Sequence, residues 1–290
     1  MHLSAAATLV PALADVQMAS ITPGLTISGN KTRREDERIL YSENASAIGF
    51  LLGSFLFLDI ISCASTQSDH LLQLDHKLLL EHAEINLESI TRCRNWAIIV
   101  IFEISLLDRW KREAEKAQKL SIVELAKCGG QIEERLRERL ADIENKPSIG
   151  FSSENNSRTS LAFTYTEVTK IFAFAAMTYL HVVMSGAYPE LPEIIESVSK
   201  TIDPFQRLSD KRLLRNLVWP FCISGCLALD GQHDIFRDLV SAAEITQSTT
   251  GTCFEALKIV EECWDTRKTH LCNCDWYSVM KKWGYYVLLY

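Results

Sequence analysis

The stretch Leu217–Ala228, LVWPFCISGCLA, limits the possible folds of this chain more than any other. It is apolar at helical density, yet Pro220 stands inside it. A proline within a helix removes one ladder hydrogen bond and costs about 3 kcal/mol, so it persists only where packing compensates. Four positions later Ser224, Gly225 and Cys226 carry almost no side-chain bulk, which lets the backbone of a neighbouring helix come close. The expectation is a buried, proline-kinked central helix within an irregular all-α multi-helix bundle.

The chain has 290 residues, near the size at which a single core stops growing, and 47% hydrophobic residues supply that core. Its formal net charge of -7 argues against a long phosphate-contacting surface, because affinity for a nucleic acid backbone comes from clustered Lys and Arg. The most basic run, Lys31, Arg33, Arg34 and Arg38, is interrupted by Glu35, Asp36 and Glu37 and reads as a solvated segment. The cysteines (Cys63, Cys93, Cys128, Cys222, Cys226, Cys253, Cys263, Cys272 and Cys274) are odd in number and mostly inside apolar helical patterns. That suits buried free thiols in a reducing compartment better than a disulfide framework. Met1–Ala19 is rich in Ala and Leu, but it lacks a basic leading segment and Asp15 interrupts it, so it does not read as a signal peptide. The apolar runs Ala45–Leu58 and Trp96–Leu107 fall short of the roughly 20 residues that span a bilayer. Asp59 and Glu103 interrupt them, so both are expected to be buried helices, with no membrane association.

The organisation expected along the chain has four parts. Residues 1–37 are poorly ordered or form a short helix and a loop, 38–143 a first helical part, 144–160 a polar loop, and 161–290 a second helical part. In the first part, Phe50–Ser62 is apolar on nearly every face, as in a helix surrounded by other helices. Asn86–Lys116 is expected to be one long helix with Trp96, Ile99, Val100, Ile104, Leu107 and Trp110 on one side. Ser121 and Glu124 make a capping box. After it, Leu125, Gly129, Ile132, Leu136, Leu140 and Ile143 recur at three- and four-residue steps, the clearest amphipathic signature in the chain. The opposite face, with Glu133, Arg137 and Glu138, reads as solvated.

In the second part, Val168, Ile171, Phe172, Ala175, Tyr179 and Val183 define a buried stripe that Gly186 ends. Pro189 and Pro192 suit the first turn of the following helix. Ile235, Phe236, Leu239, Val240 and Ala243 keep helical spacing after Gly231. Thr252 and Glu255 form a second capping box, and Asp275 is placed to cap a last helix that Gly284 stops. Tyr285–Tyr290 is an ambiguous short apolar run.

No catalytic, cofactor-binding or metal-binding residue is assigned on these patterns. His70, His76 and His82 recur every six residues, which on a continuous helix turns successive rings about 240° apart and makes a poor ligand set. His82-Ala83-Glu84 resembles the H-x-E of zinc deaminases, but no P-C-x-x-C follows. Cys263, His270, Cys272 and Cys274 are the most metal-like group, yet Cys272 and Cys274 are only two apart and no paired C-x-x-C is present. His181 sits in an apolar helix and reads as a satisfied core residue. Trp219 and Trp264 read as packing residues. An enzyme is therefore not expected, and a deep pocket gathering His181 with several carboxylates would revive that alternative.

Taken in order, several blocks resemble the regulatory region of fungal zinc-cluster transcription factors, the fungal-specific transcription factor domain. They are Phe55–Ser65 (FLFLDIISCAS), the Ile104–Trp110 helix with its capped successor, Phe172–Ile195, Leu217–Ala228, Cys253–Trp264 and Asp275–Leu289. They cover nearly all of the chain beyond about residue 40. The resemblance implies a helical regulatory module in the nucleus, controlling fungal metabolic genes, secondary-metabolite clusters among them. It also implies co-regulator proteins or the transcription machinery as partners, a homodimer as one option, and an effector whose identity stays open. In such regulators zinc belongs to a DNA-binding motif of the form C-x2-C-x6-C followed by a second half, and no such run occurs in this sequence. Cys222 and Cys226 do not stand in for it, so DNA contact is expected only indirectly or through such a motif outside this chain. A helical interaction scaffold without a DNA-linked role is the alternative.

Overall fold

The apolar periodicities become helices wherever the chain is described. The computed structural model describes residues 10–11, 13–14, 31–72, 74–82, 85–145, 156–243, 252–269 and 273–290, and for 31–45 and 156–159 the backbone alone. The elements are α1 (Lys31–Thr66), α2 (His76–His82), the single turn α3 (Glu88–Thr91), α4 (Asn95–Lys116), α5 (Ile122–Asn145) and α6 (Asn156–Ser185). They continue with α7 (Pro192–Arg207), a 3-10 turn (Lys211–Asn216), α8 (Val218–Cys226), a second 3-10 turn (Asp230–Gln232), α9 (His233–Ala242), α10 (Thr252–Thr269) and α11 (Trp276–Trp283). No strand occurs among the described residues, and the protein is an all-α multi-helix fold. Most of the first 30 residues lie outside the described part, as do 146–155 and the pair His270 and Cys272; of the loop expected over 144–160, residues 144–145 and 156–160 are helical.

Two helices form the interior. α6 packs against α4, α5, α7 and α8, while α8 packs against α6, α7, α9, α10 and α11. Every one of the nine residues of α8 is buried, which makes the Leu217–Ala228 stretch the inner element its composition suggests. Pro220 acts differently from the expectation. The helix begins at Val218, so Pro220 occupies its first turn, and the first intrahelical bond is Phe221 N to Leu217 O at 2.9 Å. In that turn the amides have no intrahelical acceptor, and a missing one costs no ladder bond. Pro220 starts the helix and does not kink it.

The small residues that follow do what their size allows. A Cβ placed on Gly225 would lie 2.9 Å from Val260 Cγ2 and 3.1 Å from Phe236 Cδ1, so α9 and α10 approach α8 as closely as a glycine permits. α6 supplies the complementary surface, with Ile171, Phe172, Ala175, Tyr179 and Leu180 all buried.

Local sequence fixes several helix ends. Ser121 Oγ accepts from Glu124 N at 3.2 Å, and Asp275 Oδ1 accepts from Ser278 N at 2.8 Å. Gly186 (φ 92) and Gly284 (φ 76) adopt the left-handed conformation that ends α6 and α11. Pro192 begins α7, and a further proline, Pro204, is buried within it. The amphipathic stripe of α5 is buried in full, from Leu125 to Ile143. On its other face Arg137 pairs with Glu133 at 2.7 Å.

Three features depart from the sequence expectations. The helix expected over Asn86–Lys116 breaks at Arg92, which is left-handed (φ 62), and resumes at Asn95. The Asn95 side chain holds the break: its amide donates to Leu80 O and Ile85 O, and its carbonyl accepts from Leu87 N. The hydroxyl of Thr252, expected to cap α10, instead donates to Tyr290 O at 2.8 Å. The apolar runs are also longer than expected. Ser46–Thr66 and Ser160–Ser185 are long and apolar enough to cross a membrane, and 50% and 83% of their most apolar windows are buried within the bundle.

Candidate functional site

The C-terminal end of α8 is met by side-chain donors from α10. Helix-terminal carbonyls lack intrahelical donors and carry partial negative charge. Here Trp264 Nε1 donates to Gly225 O at 2.8 Å, and Arg267 donates to Cys226 O and, at 3.2 Å, to Cys274 O. His233 stacks flat on Trp264 with ring centroids 3.6 Å apart, and burial pushes its pKa below the ordinary value. An open groove of about 840 Å³ runs past this end, lined by Pro189, Glu190, Asp230, Arg267 and Lys268 beside the two rings.

On the other side of α8, Trp219 is held by aromatic neighbours. Phe172 stacks on it at 6.4 Å, and Tyr179 meets it edge-on at 6.0 Å. Phe57 of α1 touches Phe172, and Trp276 of α11 touches Tyr179, so one aromatic chain links four helices. Both Trp219 and Trp264 are buried, as packing residues should be.

His181 lies at the wall of a pocket of about 610 Å³ between α5, α6 and α7. Leu140, Phe174 and Met177 provide apolar surface there, with Arg137, Glu193 and Lys200 among the charged groups. The sequence reading of a satisfied core histidine needs correction. His181 is buried, but its Nδ1 has no hydrogen-bond partner and its Nε2 lies 3.7 Å from Glu133 Oε1. Burial lowers its pKa, against the opposing pull of Glu133 and Glu193. The nearby carboxylates have cationic partners: Glu133 holds Arg137, and Glu196 holds Lys200 at 2.6 Å. Ser197 in the same wall accepts from Thr178 and donates to Ile194 O, so its hydroxyl is committed. The pocket thus gathers a histidine and acids without offering an activated nucleophile from these groups.

The metal-like cysteines resolve differently. Cys263 contacts Cys226 and Cys274, and Cys226 contacts Cys222, as a row of buried thiols. Burial raises the pKa of Cys226 and Cys263 well above normal, and the hydrogen bond with Cys263 does the same for Cys274. Burial thus favours the thiol form of these core cysteines. His270 and Cys272 lie outside the described residues.

The histidines at six-residue spacing are brought together after all. The chain leaves α1 at Thr66 through left-handed Gln67 (φ 53), and α2 starts only at His76, so the continuous helix behind the 240° argument does not exist there. His76 Nε2 lies 2.8 Å and His70 Nδ1 3.2 Å from the same oxygen, Oδ2 of Asp59. Asp59 is fully buried, and its other oxygen accepts from Leu71 N at 2.9 Å. Burial raises its pKa, but the hydrogen bonds from His70, His76 and Leu71 outweigh that and hold it well below the usual carboxylate range. His82 is exposed and stays apart. The signal for this cluster was Asp59 itself, since a charge inside an apolar helix must find partners.

Comparison with known proteins places this bundle. The family model described as fungal specific transcription factor domain matches residues 1–290. The chain belongs to that family. The fungal-specific transcription factor domain also carries the likeness to individual regulators. A trichothecene biosynthesis transcription regulator of Trichoderma arundinaceum is 31% identical over 279 residues, covering 92% of this chain and 62% of that protein. Its counterpart in Fusarium sporotrichioides is 30% identical over 301 residues, covering 100% of this chain and 67% of that protein. The ustiloxin B cluster transcription factor of Aspergillus flavus is 32% identical over 213 residues, 71% of this chain and 35% of its own length. The chain thus spans about two thirds or less of these relatives. No solved structure matches it.

Proposed function

We propose that this domain is the regulatory part of a nuclear transcription regulator that controls a fungal secondary-metabolite gene cluster. The observation that carries this reading is the family match over residues 1–290, together with named cluster regulators aligned to 92–100% of the chain. DNA contact comes from a zinc-cluster motif outside this chain or from a partner protein, since the formal charge of -7 does not suit a phosphate-binding surface. The domain itself acts by binding, without catalysis. The pairing of Glu133 and Glu196 with cations and the committed hydroxyl of Ser197 favour that over an active site at His181.

In this reading the bundle has two arrangements, and a small metabolite or a co-regulator shifts the balance by binding them unequally. The His181 pocket, with its buried unpartnered nitrogen, is the place a metabolite with a hydrogen-bonding group would enter. Tethering the chain to a heterologous DNA-binding domain upstream of a reporter tests the main claim. Reporter output is expected to rise or fall relative to the DNA-binding domain alone, whereas a folded fusion with no effect in either direction rejects the reading. A thermal-shift screen with cluster metabolites checks the second. No stabilisation at saturating concentration counts against ligand control.

A further inference from the structure

We infer that Asp59, His70 and His76 form a binding site for one divalent transition metal ion, with zinc as the natural occupant. One carboxylate oxygen and two imidazole nitrogens converge, one from each residue, and the three lie within 4.8 Å of one another. This is a donor set that zinc takes readily. A tetrahedral ion with ligand distances of about 2.0–2.1 Å separates its ligand atoms by roughly 3.3 Å. The observed separations from Asp59 Oδ2, 2.8 Å to His76 and 3.2 Å to His70, need to open by about half an ångström at most, and the two ring nitrogens, within 4.8 Å of each other, to close by up to about 1.5 Å.

The second observation is what surrounds the three ligands. A metal-bound histidine is oriented by the hydrogen bond its other nitrogen makes, and a bound carboxylate by the bond to its second oxygen. All three such bonds are present. His76 Nδ1 lies 2.9 Å from Leu74 O, an acceptor that requires the ring to donate there, which leaves Nε2 of the neutral ring as a lone pair facing Asp59. His70 Nε2 lies 3.2 Å from Ser105 Oγ, whose own hydrogen goes to Phe102 O at 2.7 Å, so His70 donates outward too and turns Nδ1 inward. Asp59 Oδ1 takes Leu71 N, leaving Oδ2 for the centre.

Without a cation, the same two nitrogens hydrogen-bond Asp59 Oδ2 only as donors, which takes a second proton on each outward-donating ring. A divalent ion satisfies all three ligands at once. Phe102 fixes the ring planes, stacking on His76 at 4.9 Å and meeting His70 edge-on at 4.9 Å. Asp59 and His76 are closed off from water, while His70 retains 11% side-chain exposure and so marks the side of entry. The ion would join α1, the connection after it and the start of α2, with α4 behind them as support. Its fourth ligand is water. The site is separate from any DNA-binding zinc cluster.

The test uses the full chain, stripped with a chelator and titrated with cobalt(II) and then zinc. Cobalt uptake of one equivalent is expected, with the visible ligand-field absorption of a low-coordinate site and no sulfur-to-cobalt charge transfer, and zinc should displace it. His70→Gln and His76→Gln should each lose at least ten-fold in affinity, and His82→Gln should bind like the parent. Ser105→Ala, which removes the outer bond to His70 together with the serine's own bond to Phe102 O, should weaken binding about ten-fold. Zinc should raise the melting temperature of the parent but not of His76→Gln. The inference is overturned by a stripped parent chain that takes up no cobalt, as expected if protons alone fill the cluster. A spectrum dominated by thiolate charge transfer, or uptake undiminished in both histidine variants, overturns it equally. The parent-chain titration decides the matter even where a variant fails to fold.

Discussion

Adding one methyl group at Gly225 probes the inner packing more directly than any deletion. The new Cβ of Gly225→Ala would meet Val260 Cγ2 at 2.9 Å, Phe236 Cδ1 at 3.1 Å and Val260 Cγ1 at 3.2 Å. Val260 is fully buried and β-branched, so it cannot swing aside at χ1. Overpacking of this kind costs about 1–3 kcal/mol, and replacing a helical glycine by alanine returns up to about 1 kcal/mol. The net destabilisation is therefore about 0–3 kcal/mol, too broad a range to be decisive alone.

The double-mutant cycle with Val260→Ala sharpens it. That change removes the two methyl groups the new Cβ would strike and by itself costs about 2–3 kcal/mol. Together the two should cost less than their sum by about 1–3 kcal/mol, because each removes the other's defect. Urea unfolding, read as the midpoint at constant slope, measures all four corners. Additivity within about 0.5 kcal/mol, the scatter for independent sites, would refute the close approach of α10 to α8.

Three further outcomes follow from the same structure. Trp219→Ala and Trp264→Ala should each cost about 3–5 kcal/mol, a fall in melting temperature of roughly 6–20 °C by circular dichroism, and an unchanged melt would show the residue to be peripheral. Burial holds the pKa of His181 and His233 below the ordinary 6.5, so the unfolded chain takes up protons first and stability, full above that pH, declines as pH falls through it. Urea midpoints should therefore drop between about pH 7.5 and 5.5, and His181→Gln should flatten the slope; an identical slope in that variant contradicts a neutral buried ring. Asp275→Ala removes the cap on Ser278 N and should cost about 0.5–2 kcal/mol, with faster amide exchange at Ser278 as the local readout.

What could be read in the sequence was what local chemistry decides. The stripe of α5 follows from three- and four-residue spacing, the Asp275 cap from its side chain, and the ends at Gly186 and Gly284 from their freedom at positive φ. The family resemblance rested on blocks that now prove to be core, such as Leu217–Ala228 and Cys253–Trp264. What escaped were features fixed by distant partners. The break at Arg92 depends on Asn95 reaching back to Leu80 and Ile85, and the starting role of Pro220 on a 3-10 turn before it. The histidine cluster escaped because a helix was assumed through 67–75, where the chain turns and folds His70 and His76 onto Asp59. Nothing in the periodicity around His181 indicated that one of its nitrogens would be left unbonded.

The way α8 ends has a consequence for damaged alleles. Its last carbonyls are met by Trp264 and Arg267, some forty positions downstream. A premature stop anywhere before those residues strips the donors from an otherwise intact inner helix and leaves buried acceptors facing nothing. A stop codon between residues 228 and 264 should therefore behave as a null mutation, with the shortened product cleared by proteolysis.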